Sequence, residues 1–295
     1  MFSRAVGRGV GFIILSCLVF CVMSVIIRMG AGLDSFQLTL FRCATGLALL
    51  CVGAMAGLFE LRFVNRTALF TRGIVGGIAI YFSYLGIVKL GVAKGTLITY
   101  SYPVFTALFS VFMLGERMSL RKAGCIVTAF AGLVLLTLKG FNAGSVSAAG
   151  GFRYEPLVIL GAALSGLAVV YVKKLHDTDS TQAIFFAQCL GGFWITVVPA
   201  GCAGAVGGLP AAAVLVGAGL LAAAGQLLMT EGYRTVPATT GALISLLVPA
   251  MNTAAGVVLF HEPVTATEIA GSVLILAACA GILTEGKKVP AEVSV

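Results

Sequence analysis

The chain has 295 residues, 59% of them hydrophobic and only 10% charged, where soluble domains carry about 25% charged residues. That composition excludes an ordinary soluble enzyme. Each membrane crossing takes about 20 largely apolar residues, so ten crossings use roughly 200 and leave about 95 for loops and tails. The net charge of +8 comes from 19 Lys and Arg spread along the chain. Between short apolar runs such residues act as topology signals, and no nucleic-acid partner is expected.

Apolar runs fall at 10–27, 36–58, 73–88, 96–114, 120–138, 157–172, 183–206, 211–230, 242–260 and 269–283. The predicted fold is therefore an all-α integral membrane protein with ten transmembrane helices. The first run follows Arg4 and Arg8 and exceeds the 7 to 15 residues of a signal-peptide core, so it is read as a retained helix. Placing the N-terminus in the cytoplasm puts thirteen of the nineteen basic residues inside, Arg72 among them as a loop charge ahead of span three. The inside excess predicts both termini cytoplasmic, in the inner cell membrane.

Span two carries Arg42, the one charge read as well inside a span, roughly 12 Å from Asp34. Insertion there costs about 3 kcal/mol, so the side chain must face protein or water. Its guanidinium fork suits a carboxylate or phosphate, and a structural link to carbonyls or a helix end is the competing role. Gly53 with Gly57, and Gly73 with Gly77 in span three, have the four-residue spacing of close helix packing. Span three adds Tyr81, Phe82, Ser83 and Tyr84, with Lys89 and Lys94 beyond its end.

Span four holds Thr99, Tyr100, Ser101, Tyr102 and Thr106 around Pro103, and ends at Glu116. Tyr hydroxyls in spans need partners, which fits either an aromatic, hydrogen-bonding cavity wall or, for Tyr81 and Tyr102, an interfacial belt. Proline has no amide proton, so the Thr99 carbonyl loses its helical donor. Residues 139–155, rich in Gly, Ser and Ala, read as an external linker. Span seven contributes Gln188 and Trp194, and span eight Gln226, with Glu231 beside Arg234 at its end. Span nine contributes Ser245, Pro249 and Asn252, and ends at Glu262. The amides of Gln226 and Asn252 offer both donors and acceptors, for a polar substrate or for interhelical bonds. Residues 285–295 form a tail.

The chain repeats itself. DSFQLTLFRCATG (34–46) matches DSTQAIFFAQCLG (179–191), and GTLITYSYPVFTALFSVFMLGE (95–116) aligns with GALISLLVPAMNTAAGVVLFHE (241–262). The second alignment pairs Gly95 with Gly241, Pro103 with Pro249 and Glu116 with Glu262. Five spans per copy make the second copy inverted, giving repeats at 1–138 and 156–284. Inverted repeats with interrupted helices at corresponding positions are characteristic of secondary transporters, and point to Pro103 and Pro249 as neighbours of a binding site.

These stretches, YPVFTALFSVFMLGERMSL (102–120), its partner 248–283 and the Phe41-Arg42 pair, resemble the drug/metabolite transporter superfamily in its ten-helix EamA-type branch. The resemblance implies a central cavity lined mainly by spans one to four and six to nine, spans five and ten at the periphery, alternating access, and export. His261 departs from the pattern where the first repeat has Gly115.

The expected function is thus secondary transport of a small organic metabolite, an amino acid or similar zwitterion. The alternatives are an organic-anion or phosphorylated-metabolite carrier and a non-transporting membrane scaffold. Cavity candidates are Arg42, Tyr84, Thr99, Tyr100, Gln226, Ser245 and Asn252. Glu231 is the coupling candidate, with pairing to Arg234 as its plainer role. Glu116 and Glu262 are candidates for a gate or for capping spans five and ten. No catalytic arrangement is present. The eight cysteines form no CxxC pair, and with only two histidines no metal site or cofactor is expected. The partners implied are a small-molecule substrate and the lipid bilayer.

Overall fold

A computed structural model describes residues 4–29, 34–90, 92–142, 151–202, 204, 208–261 and 263–285. Backbone amides inside a bilayer must bond within their own segment, and every regular element among these residues is helical. The helices are α1 (Arg4–Met29), α2 (Ser35–Met55), α3 (Arg66–Leu90), α4 (Val92–Thr99), α5 (Tyr102–Leu114), α6 (Leu120–Asn142), α7 (Gly151–Leu175), α8 (Thr181–Cys202), α9 (Leu209–Tyr233), α10 (Ala238–Ile244), α11 (Leu247–Phe260) and α12 (Ala266–Glu285). They make ten spans long and apolar enough to cross a membrane, with α4 and α5 forming the fourth and α10 and α11 the ninth. Helix occupies both flanks of the stretch read as a linker, up to Asn142 and again from Gly151; residues 143–150 and 286–295 lie outside the described set.

Two features set the helix ends. Asp34 caps α2, accepting from the amides of Phe36 (2.8 Å) and Gln37 (3.3 Å). Gly115 closes α5 in the left-handed conformation at φ 65°, and His261 closes α11 at φ 52°. The departure of His261 from the repeat is therefore a side chain in a conformation that costs about 1–2 kcal/mol outside glycine.

The spans form a ring. Around it α5 packs on α7, α7 on α3, α3 on α8, α8 on α2, α2 on α9, α9 on α1 and α1 on α11, and α10 closes the circle against α5. Helices α6 and α12 pack on each other beside α4, α10 and α11, where the resemblance puts the peripheral spans. Glycines set the closest crossings. A Cβ on Gly73 would lie 2.5 Å from the Ala187 carbonyl oxygen, and one on Gly77 2.8 Å from the Gly191 backbone. A Cβ on Gly271 would lie 2.5 Å from the Gly132 carbonyl oxygen. The Gly53–Gly57 spacing plays no such part. Gly53 packs on Phe59 and Gly57 sits in the turn after α2 at φ 70°, so this pair corrects the expectation of helix packing.

One face of the bundle carries both ends of the described chain, and is called the terminal face below. There Thr235 Oγ1 donates to the Ala5 carbonyl (3.1 Å) and Arg121 to Thr284 (2.6 Å). The two faces differ in tightness. Residues 238–250 are all buried, whereas among their counterparts at the opposite face, 95–104 of the described residues, only Gly95 and Pro103 are. The ring is shut at the terminal face and looser at the other.

Candidate functional site

Arg42 lies on α2, seven residues inside Ser35, with Thr45 a turn further on. Its Nη2 donates to Gln226 Oε1 on α9 (3.1 Å), and its guanidinium lies 5.8 Å from the Phe20 ring of α1. Tyr100, like Phe20, packs on the core cluster that contains Cys17, and its ring is 6.4 Å from that of Tyr102. Arg42 from α2 and Gln226 from α9 therefore meet beside Phe20, and Tyr100, at the break in the fourth span, packs on the same core cluster as Phe20, while Tyr84 on α3 is half-buried. Among the described residues no carboxylate pairs with Arg42.

Asn252 on α11 joins the same wall one turn away. Its amide donates to Ser24 Oγ (3.4 Å), and Ser24 in turn donates to the Phe20 carbonyl (2.9 Å). The Asn252 Oδ1 and the Thr99 hydroxyl are buried without a partner, as unfilled acceptors and donors near a binding site are. Ser245 lies at the second break. It is buried and its hydroxyl turns back to the Gly241 carbonyl of its own helix (3.1 Å), the usual recourse of a serine inside a span.

The prolines do more than bend their helices. Helix stops at Thr99 and at Ile244, and restarts at Tyr102 and Leu247, so each proline falls in the first turn of a new helix, where a missing amide proton costs nothing. At the second break the Ser245 carbonyl accepts from the Val248 amide instead (3.1 Å).

Glu116 caps a different helix from the one expected. Its carboxylate accepts from the Ala238 amide (2.6 Å), the Thr239 amide (3.4 Å) and the Thr239 hydroxyl (2.9 Å). It holds the N-terminus of α10 rather than α6, because the inverted repeats bring the end of one broken span beside the start of the other. Ser110 completes the contact through Thr239 Oγ1 (2.8 Å). Glu262 lies outside the described residues. Glu231 bonds Thr181 Oγ1 and faces Arg234 at 3.5 Å, at the terminal end of α9, five residues beyond Gln226. Beside it His176 Nε2 bonds the Thr230 carbonyl (2.7 Å), and burial pushes its imidazole below the ordinary value of 6.5.

One residue was misplaced by the sequence reading. Arg72, counted there as a loop charge, sits inside α3 and is only 3% exposed. Its Nη2 donates to Gln188 Oε1 on α8 (2.7 Å), while Nε and Nη1 have no partner. The overlooked signal is Asn65, whose Oδ1 accepts from the Ala68 amide (3.1 Å) and starts α3 well before the apolar run. Trp194, by contrast, faces outward at 69% exposure.

The repeat, the ring and the paired breaks now meet the sequence comparison. The model of the EamA-like transporter family matches residues 7–138 and again 153–284. The chain belongs to that family. This EamA-like chain is similar to the pseudopaline exporter CntI of Pseudomonas aeruginosa, 25% identical over 92% of this chain and 94% of that one. It also resembles solute carrier family 35 member G1 of Mus musculus, 27% identical over 63% of this chain. That alignment spans about half of the mouse protein, 53% of its length. A solved crystal structure shares the fold, with a TM-score of 0.78 at 18% identity over 96% of this chain and 99% of that one. The EamA-like chain is thus a multi-pass membrane protein of a transporter family, and not an enzyme.

Proposed function

We propose that the protein moves a small carboxylate-bearing zwitterion, an amino acid or close relative, by rocking of its two inverted repeats, in the export direction. The observation that carries this reading is Arg42, a cation held inside the bundle by the neutral amide of Gln226 and paired with no carboxylate among the described residues. A substrate carboxylate supplies the missing charge and fits the guanidinium fork with two bonds. The rings of Phe20 and Tyr100 then offer the π-systems an ammonium group prefers. The uneven burial of the two faces is what a carrier caught open at one side displays. Direction rests on the similarity to an exporter whose name assigns it pseudopaline. The orientation stays as the positive residues predict, termini in the cytoplasm, since removing Arg72 from the loop count leaves twelve basic residues on that side.

Counterflow in proteoliposomes tests the reading. Vesicles loaded with a pool of unlabelled amino acids should accumulate labelled ones saturably, and Arg42→Ala should abolish this while the protein stays folded. Accumulation only from pools of phosphorylated metabolites or organic anions would replace the zwitterion with those classes. No saturable flux from any pool would leave a non-transporting scaffold.

A further inference from the structure

Arg42 and Arg72 are related by the architecture. Arg42 is seven residues inside α2 from the looser face, roughly 10 Å deep, and Arg72 is six residues inside α3 from the terminal face, roughly 9 Å deep. The inverted repeat exchanges α2 with α8 and α3 with α9. At the level of helices, the α2–α9 contact made by Arg42 and Gln226 has its counterpart in an α8–α3 contact, and there Gln188 meets Arg72, although residue by residue Arg42 aligns with Ala187 and Gln226 with Ile80. Each pair joins an arginine of the first repeat to a glutamine of the second, on either side of the bundle's middle.

The second pair is the emptier one. Arg72 is buried with Nε and Nη1 unpartnered, and no carboxylate among the described residues pairs with it. Its Nη1 lies over Gly76, where a Cβ would come within 2.0 Å, so a glycine keeps room for the guanidinium. Burying a cation with idle donors is costly, and a structural arginine would be expected to use them. We infer that Arg72 and Gln188 form a second site for the substrate's carboxylate, on the helix pair that corresponds to α2 and α9, engaged when the ring opens at the terminal face. In the present conformation that face is shut and Arg72 is sealed, while Arg42 is half-buried. Exchanging the conformations of the two repeats exchanges their exposure and passes the carboxylate from one arginine to the other.

This inference rests on the transport reading, so its test has one arm that needs no substrate. Arg42→Cys and Arg72→Cys are made separately in the full chain with its eight cysteines replaced, and probed with an impermeant methanethiosulfonate sulfonate in vesicles of either orientation. Labelling of the first variant from the looser face alone and of the second from the terminal face alone is expected. Labelling of Arg72→Cys from neither face, or from the same face as Arg42→Cys, overturns the second site even if transport is robust. In the other arm, amino-acid counterflow is measured from each face for Arg72→Gln and Arg72→Lys. Arg72→Gln should raise the half-saturating concentration at least tenfold from the terminal face and by less than twofold from the other, with Arg72→Lys restoring part of the loss. Equal losses from both faces would make Arg72 a structural clasp. Absence of counterflow in the unmodified protein would instead sink the transport reading, and leave the labelling result standing by itself.

Discussion

Removing the Glu116 carboxylate should loosen the terminal face by a predictable amount. Two of its contacts are short, to the Ala238 amide at 2.6 Å and the Thr239 hydroxyl at 2.9 Å, and hydrogen bonds to a charged group contribute about 1.5–3 kcal/mol each. Two give about 3–6 kcal/mol at most. The carboxylate is only half-buried, so water replaces part of what is lost and about 2–3 kcal/mol should remain, or roughly 30- to 150-fold in the open population. The counterparts at the other face cannot repeat the arrangement in full, since Ser110 aligns with Gly256 and Thr239 with Ala93. Ala242→Cys, at a wholly buried position of α10, reports opening by its rate of reaction with an impermeant maleimide. In a background without native cysteines, Glu116→Ala should speed that reaction roughly 30- to 150-fold, and Glu116→Gln, which keeps an acceptor, by less. A rate within twofold of the parent would refute the latch.

Other expectations concern stability and pH. Gly115→Ala should lower stability by about 1–2 kcal/mol, as a Cβ is forced into the left-handed region, while His261→Gly at the matching position should be neutral or stabilising; thermal unfolding in detergent compares them. Gly271→Ala should destabilise by about 1–3 kcal/mol because its Cβ meets backbone on α6, and a melting temperature equal to that of Gly281→Ala, where the Cβ would meet only Cys125 Sγ at 3.0 Å, would contradict that packing. For His176, burial favours the neutral ring, so the folded chain binds its proton less readily than the unfolded one. Its contribution is complete above the ordinary value of 6.5 and is lost as pH falls through the lower folded value. His176→Gln should flatten the acid side of the melting-temperature profile.

The architecture was legible because membrane spans and an internal duplication leave strong traces. Aligned prolines, glycines and glutamates located both helix breaks, and Arg42 and Gln226 were both singled out, although nothing in the sequence showed that they touch. Rotation about each helix axis was the missing quantity, since segments apolar on every side have no preferred face. Hence the bond of the Ser245 hydroxyl to its own helix could not be read from the sequence. Arg72 was lost for another reason. A hydropathy window starts a helix where charges end, whereas the chain starts one where a cap can form, and Asn65 provides it.

The order of helices around the ring has a consequence for biogenesis. Passing from α5 through α7, α3, α8, α2, α9 and α1 to α11, each neighbour belongs to the other repeat. The repeats are thus units of ancestry but not of assembly. The first five spans, once inserted, lack the neighbours that cover their glycine faces until the last spans follow from the ribosome. A half-chain expressed alone should be prone to pair with another half, and two halves expressed as separate chains should find each other in the bilayer.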